Sequence, residues 1–406
     1  MVSCDPPLSQ RAPRNHTAAA MHQSTDVAYV DSLPALQQLA KRLAGAEWLA
    51  VDTEFVRERT YFPKFCLLQL ATTHVAACVD TLALTDLSPL SRLFDDDRTV
   101  KIFHSGRQDL EVLYQRFGRL PNPIFDTQIA AAFLGFPDQV GYASLLLDVL
   151  QIRIAKSLRR TDWSLRPLSA EQLAYAAEDV IHLGPLYQTL VERIGKFGRQ
   201  EWVAEETRLL QVRSLYEPDP EDAWRRIGGS SSLNDAQAAV LKRLASWREL
   251  TARDQDRPRN WVIRDDALLE LAKQFPGTLE ALRQIRGINE KIERRHGKAL
   301  LDIIQHSDHP PLPDSRRPIR QESTEDETLA NLLGEVVKLR SGHAEISPTL
   351  VASRRMLKEF VASPLNSPLL RGWRKAFIGD ELYAVLADRH SNPESTNRGG
   401  TQDNAG

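Results

Sequence analysis

The chain of 406 residues is long enough for roughly two to four domains, and 42% hydrophobic with 26% charged residues is the composition of a globular protein. A formal net charge of −2 excludes a globally basic nucleic-acid binder, so any basic surface must be local. The three cysteines, Cys4, Cys66 and Cys78, lack metal-ligand spacing and read as reduced thiols; no apolar run is long enough to cross a bilayer, and the expected compartment is the cytoplasm.

Residues 1–24 contain prolines and arginines without a continuous apolar stretch, so they are expected to be a disordered extension rather than a signal peptide. Ordered patterning starts only after Met21, an alternative start of translation. LPALQQLAKRLAGAEW then has helical spacing and is closed by Gly45. WLAVDTEFV reads as a strand, yet Asp52 and Glu54 lie inside it, two apart and therefore on one face. FCLLQLAT and VAACVDT, separated by TTH, predict a hairpin beside that strand. TVKIFHS predicts another strand, running into the helix GRQDLEVLYQRFG, where Leu110, Leu113, Tyr114 and Phe117 recur at the helical period. PIF gives way at Asp126, an N-cap for TQIAAAFLG. This order predicts an α/β domain over residues 25–210, built on a mixed sheet.

From Ser169 the pattern is helical, SAEQLAYAAEDVIHLGPLYQTLVERI, with Ser169 and Gln172 forming a capping box. No strand pattern persists beyond residue 210. Residues 211–305 predict several helices, broken at GGSSSLND and FPGT. Residues 306–325, rich in proline and charge, predict a linker; 326–390 predict a second helical unit, and 391–406 a disordered tail. The two units read as a diverged repeat: VIRDDALLELAKQFP matches LVASRRMLKEFVASP, LRQIRG matches LLRG, and GKALLDII matches GDELYAVL.

Four acids stand where the local pattern expects something apolar or neutral. Asp52 and Glu54 share a strand face, Asp109 borders the apolar stripe of its helix, and Asp179 follows Tyr175 by one turn on a later helix. Each piece is commonplace alone; the ordered set is much rarer by chance. Converging carboxylates would be forced to protonate unless divalent ions neutralised them. Hard oxygen donors without histidine or cysteine suit Mg²⁺ or Mn²⁺ rather than zinc. Two such ions, about 3.5–4 Å apart, stabilise both the attacking and the leaving oxygen of a phosphodiester displacement. Beside Asp179, the Tyr175 hydroxyl is suited to orienting a water.

The stretches AVDTEF, HSGRQDLEVL and YAAEDV resemble the three exonuclease motifs of the DEDD superfamily of 3′–5′ exonucleases, and the tyrosine of the third motif matches its tyrosine-type branch. VDTEFVRERTYFPKFCLLQLA and RTDWSLRPLSAEQLAYAAEDV resemble the ribonuclease D family more closely. LASWRELTARDQDRPRNWVIRDDALLELA and IRGI resemble the helicase-and-RNase-D C-terminal (HRDC) domain; the second helical unit departs most from it. The resemblance, spanning about residues 25 to 390, implies a ribonuclease-H-like fold followed by two all-α HRDC-like modules. It implies Asp52, Glu54, Asp109 and Asp179 as carboxylates of a two-metal site and Tyr175 as the water-orienting residue. The implied reaction is hydrolysis of RNA from its 3′ end with release of 5′-mononucleotides, and the implied role is trimming of tRNA precursors.

Other residues are weaker candidates. Gln69 is either a contact to the RNA 3′ end or a satisfied core amide. His104 either touches substrate or packs, and Tyr61 and Phe62 either stack on a base or belong to the core. RIAKSLRRTDWSLR gathers Arg153, Lys156, Arg159, Arg160 and Arg166 ahead of the catalytic helix, a phosphate-contacting stretch or a solvated face. In RQIRGINEKIERRHGK, a locally basic turn at a helix start is a plausible phosphate site; the alternative is a bundle that braces the nuclease. A DNA exonuclease of the same chemistry is the nearest rival reading, and a non-catalytic RNA-binding scaffold is the rival from another class. A monomer is expected.

Overall fold

The computed structural model describes residues 27–154, 161–306 and 324–391. The expected extension, nearly all of the linker and of the tail, and Lys156, Arg159 and Arg160 lie outside the described residues.

The catalytic-domain candidate is built on six strands: β1 (Val27–Val30), β2 (Trp48–Val56), β3 (Lys64–Ala71), β4 (Ala76–Asp80), β5 (Val100–Phe103) and β6 (Ile124–Asp126). They lie in the order β1-β4-β3-β2-β5-β6. β2, β3 and β4 are antiparallel, while β1 on β4, β5 on β2 and β6 on β5 are parallel, giving the mixed sheet that the strand order predicts. β1 was not foreseen; four residues at a sheet edge are too short to show a period.

Alternation along the strands gives the sheet two apolar faces. Leu49, Val51, Leu68, Leu70 and Val79 pack under α1 (Leu33–Leu43), α2 (Ser88–Asp95) and α3 (Arg107–Phe117). On the other face, Trp48, Ala50 and Ile102 pack against α4 (Thr127–Ala132), α5 (Tyr142–Leu150) and the helices that follow residue 169. The single helical run expected there is two helices, α6 (Ala170–Ile181) and α7 (Leu183–Lys196). Pro185 has no N–H to return to the Ile181 carbonyl, so α6 cannot continue through it. Gly184 lets α7 approach the sheet: a Cβ there would overlap the Trp48 indole.

α8 (Gln200–Arg208) and a run of 3₁₀ turns lead to the first helical unit. It comprises α9 (Asp235–Asp254), α10 (Arg259–Val262), α11 (Asp265–Gln274), α12 (Leu279–Arg283) and α13 (Glu290–Gln305) around Leu241, Leu244, Leu268, Leu271, Leu282 and Leu300. Both predicted breaks occur. Asn234 forms a capping box with Gln237 at the start of α9, and Phe275, at φ +49°, ends α11 before Thr278 caps α12. This unit meets the catalytic domain at the loop between β2 and β3. The Tyr61 hydroxyl bonds to Glu249, the Arg259 guanidinium lies 4.6 Å above the Tyr61 ring, and the Asp256 carboxylate accepts the Tyr61 and Phe62 N–H groups at 3.0 Å each. Tyr61 is therefore committed to a domain contact rather than to a base.

The second unit consists of α14 (Thr324–Ala344), α15 (Pro348–Val351), α16 (Arg354–Ala362) and α17 (Gly372–Arg374), which runs through a π-turn into α18 (Asp380–Ser391). Leu333, Val337, Phe360, Trp373 and Ile378 belong to the same buried cluster as Phe133, Leu146 and Leu190 of the catalytic domain. The Trp373 ring meets Phe133 edge-on at 4.8 Å and stacks on Trp202 at 5.6 Å. Arg374 grips Glu206 with two bonds of 2.7 and 2.9 Å, and Arg199 donates to the carbonyls of Phe133, Ala344 and Glu345. A shared core makes this unit part of the catalytic domain's stability. Trp373→Ala should cost about 3–5 kcal/mol. Urea unfolding should show the catalytic domain and residues 324–391 melting together at a lower midpoint; an unchanged midpoint would refute the shared core.

Candidate active site

The site begins where β2 loses a neighbour. β2 pairs with β5 only through Trp48, Ala50 and the residue between them, while its pairing with β3 continues past Glu54. The first turn of α3 enters the space beside the unpaired half. There Asp109, only 8% exposed, accepts hydrogen bonds from the Thr53 N–H at 3.0 Å and the Thr53 hydroxyl at 2.6 Å. The start of α3 is held in turn by Asp126. Its carboxylate caps α4 as predicted, and it also accepts from the N–H groups of Ser105 and Gly106.

The opposite wall is α6, opened by the predicted Ser169–Gln172 capping box. Its small residues Ala176 and Ala177 pack on Cys66, Leu67 and Cys78, which brings the helix close to the sheet. Asp179 thereby faces β2. One carboxylate oxygen each from Asp52, Glu54 and Asp179 lie within 4.8 Å of one another. The structure thus brings three of the four predicted acids into one cluster. The fourth, Asp109, stands beside them with its carboxylate turned onto Thr53.

Burial and nearby negative charge act on Asp52, Glu54 and Asp109. Asp52 is pushed well above the usual carboxylate range, first by burial and then by Asp109, Asp179 and Glu54. Glu54 is raised to about 8 by burial, Asp179 and Asp109. Asp109 is raised to about 6 by burial, against the lowering effect of its bonds to Thr53. Such a site holds its acids neutral or holds cations, and its donors are hard oxygens throughout.

Tyr175 sits one turn before Asp179, half-buried, with its ring stacked on Trp163 at 6.2 Å between centroids. Trp163 belongs to a loop stapled to β3 and β4 by Arg166. That guanidinium bonds both oxygens of Asp80, at 2.6 and 2.8 Å, and the carbonyls of Cys66, Trp163 and Leu165. Arg166, read as part of either a phosphate-contacting stretch or a solvated face, is instead a structural clamp.

Gln69 fits neither alternative open for it, whereas His104 takes the packing one rather than touching substrate. Gln69 is fully buried, so it cannot reach an RNA end directly, and it is not a satisfied core amide either: neither side-chain atom has a partner among the described residues. His104 uses both ring nitrogens internally, on the Thr127 hydroxyl at 2.9 Å and the Val140 carbonyl at 3.1 Å, with burial lowering its pKa. Both nitrogens are thereby engaged inside the protein, which leaves none for substrate. Arg159 and Arg160 lie outside the described residues.

Sequence reasoning missed Thr53, Trp163 and Tyr142. Tyr142 lies against His104, and burial together with Asp179 and Asp52 raises its hydroxyl well above its ordinary pKa. Thr53 was visible only as the residue between two acids, and no local period marks Trp163 or Tyr142.

Residues 27–195 match the 3′–5′ exonuclease family and residues 237–304 match the HRDC domain. Ribonuclease D of Gluconacetobacter diazotrophicus is 40% identical over 361 residues, covering 87% of this chain and 91% of that one. Ribonuclease D of Acidiphilium cryptum is 39% identical, covering 89% and 93%. The crystal structure of Escherichia coli RNase D, described as an exoribonuclease involved in structured RNA processing, superposes with a TM-score of 0.81 at 33% identity, covering 89% of this chain and 99% of that one. The catalytic core of RRP6 from Trypanosoma brucei superposes with a TM-score of 0.55 at 27% identity, over 70% and 80%. Fold, acidic cluster and likeness along most of the length agree: the chain belongs to the ribonuclease D family.

Proposed function

We propose that this protein is a 3′–5′ exoribonuclease whose Asp52, Glu54, Asp109 and Asp179 hold two divalent ions, Mg²⁺ or Mn²⁺, and that it trims tRNA precursors to their mature 3′ ends. The observation that carries the site assignment is the meeting of Asp52, Glu54 and Asp179 within 4.8 Å, with every influence on Glu54 pushing its pKa upward. A phosphate-binding scaffold gains nothing from acids so placed. When bound, a pair of such ions supplies a nucleophile at neutral pH and stabilises the charge on the reacting oxygens.

The chain's own residues do the rest. Thr53 fixes the Asp109 carboxylate with two hydrogen bonds, so this ligand keeps one orientation. Tyr175, held by Trp163, orients the attacking water with its hydroxyl. Water adds to phosphorus, the bond to the 3′ oxygen of the preceding nucleotide breaks, and a proton passes to that oxygen. A 5′-mononucleotide and an RNA one residue shorter, with a new 3′ hydroxyl, are released.

The remaining assignments follow the same reading. The exonuclease domain spans 25–210, and the first HRDC-like module spans 211–305. The second module, 326–390, is a diverged copy: α14, α16 and α18 follow the order of α9, α11 and α13. The start of α13, capped by Asn289 with Arg286, Lys291, Arg294 and Arg295 nearby, is the first module's candidate phosphate contact. The protein acts as a cytoplasmic monomer.

Digestion of RNA of known sequence, with Mg²⁺ and with EDTA, tests the assignment. Asp52→Asn and Asp179→Asn should each lower mononucleotide release by about three orders of magnitude or more while RNA binding stays measurable; activity equal to wild type would rule the site out. Tyr175→Phe should lose about 10²–10⁴-fold in rate with little change in RNA affinity. In EDTA, thermal stability should fall as pH rises from about 5 to about 8. Below its ordinary 4.5 Glu54 is protonated whether folded or not, and between there and about 8 only the unfolded chain releases the proton. Millimolar Mg²⁺ should abolish that decline, and a flat profile in EDTA would contradict the crowding.

A further inference from the structure

We infer that Gln69 is a positioning residue of the metal site, whose side-chain amide donates to the Asp52 carboxylate and holds it in its ligating orientation. This rests on the reading above that Asp52 is a metal ligand. Gln69 lies in the middle of β3, directly opposite Asp52 on one side and Cys78 on the other. Residues directly opposite in an antiparallel pair project from the same face, with Cβ atoms about 4.5–5.5 Å apart. The Gln69 amide is therefore within reach of the Asp52 carboxylate.

The burial of Gln69 demands an explanation. The residue has no exposed surface, and neither Oε1 nor Nε2 has a hydrogen-bond partner among the described residues. Its same-face neighbours along β3, Leu67 and Ala71, offer the amide no side-chain partner, and the Cys78 thiol opposite is directed to the Leu173 carbonyl. A buried amide without partners is costly, and buried amides are nearly always paired. An apolar residue would fill this place on the sheet at no such cost. The position makes sense if the amide is reserved for a charged acceptor, and Asp52 is the acid beside it. A carboxylate engaged by a cation gives a charge-assisted bond to an N–H donor. The arrangement then parallels the neighbouring ligand: Thr53 orients Asp109, and Gln69 orients Asp52.

Gln69→Met, which keeps the length and removes both polar atoms, tests this on the full chain by two readouts that do not involve turnover. In EDTA its unfolding midpoint should rise by about 2–4 °C, because an unpaired amide has been removed. Calorimetric titration with Mg²⁺ alone should show affinity reduced about 10-fold, and excess Mg²⁺ should restore RNA hydrolysis. A purely structural glutamine would give the opposite pattern: Mg²⁺ affinity equal to wild type, or a lower midpoint in EDTA, would overturn the inference. Gln69→Leu provides a second variant should the methionine fail to fold. Wild-type protein that takes up no Mg²⁺ would overturn the metal assignment itself and this inference with it, an outcome visible before any variant is compared.

Discussion

Mutual repulsion among crowded, partly buried carboxylates is the constraint around which this protein is organised. Three acids from one strand and one helix meet within 4.8 Å, and a fourth stands beside them. No apolar packing requires that arrangement, and burial makes it worse. The fold tolerates it by supplying rigidity from outside the cluster. The Asp126 carboxylate fixes the entry to α3, the Ser169 capping box fixes the start of α6, and the small residues of α6 set its distance from the sheet. Each of these devices spends ordinary structural interactions to hold a high-energy group in place, which is how a site is prepared for cations before they arrive.

The two helical units are joined to this core by different physics. Residues 324–391 extend the hydrophobic interior of the catalytic domain through Trp373, Phe133 and Trp202. The first unit has an interior of its own and touches the catalytic domain through polar groups on the β2–β3 loop. That loop joins the strand bearing Asp52 and Glu54 to the strand bearing Gln69.

How much of this could be read from the sequence follows from the range of each interaction. Asp52 with Glu54, and Tyr175 with Asp179, are pairs set by the two- and four-residue periods of strand and helix, so their shared faces were legible. The helix caps at Asp126 and Ser169 are equally local. Asp109 was recognisable as out of place, but its attachment to Thr53, 56 positions away, is visible only in the folded chain. The basic stretch before α6 misled for the same reason: Arg166 is absorbed by Asp80, 86 residues distant. For His104 and Tyr61 the choice between a substrate contact and packing stayed open, because nothing nearby in the chain hints at Val140 or Glu249. Gln69 shows the limit most clearly, since neither alternative weighed for it, an RNA contact or a satisfied amide, matches its unpartnered burial.

The contrast between a greasy seam at Trp373 and a polar latch at Tyr61 also sets where the molecule can yield. Polar latches on an exposed loop reform readily with water in place of a lost partner, whereas parting an aromatic seam wets surface that has no good way to be wet. A bulky, folded guest pressing on the protein would therefore shift the wall behind Tyr61 first and leave the one behind Trp373 standing. The moving wall is anchored to the catalytic strand pair, so accommodation of the guest would be felt at the acids themselves.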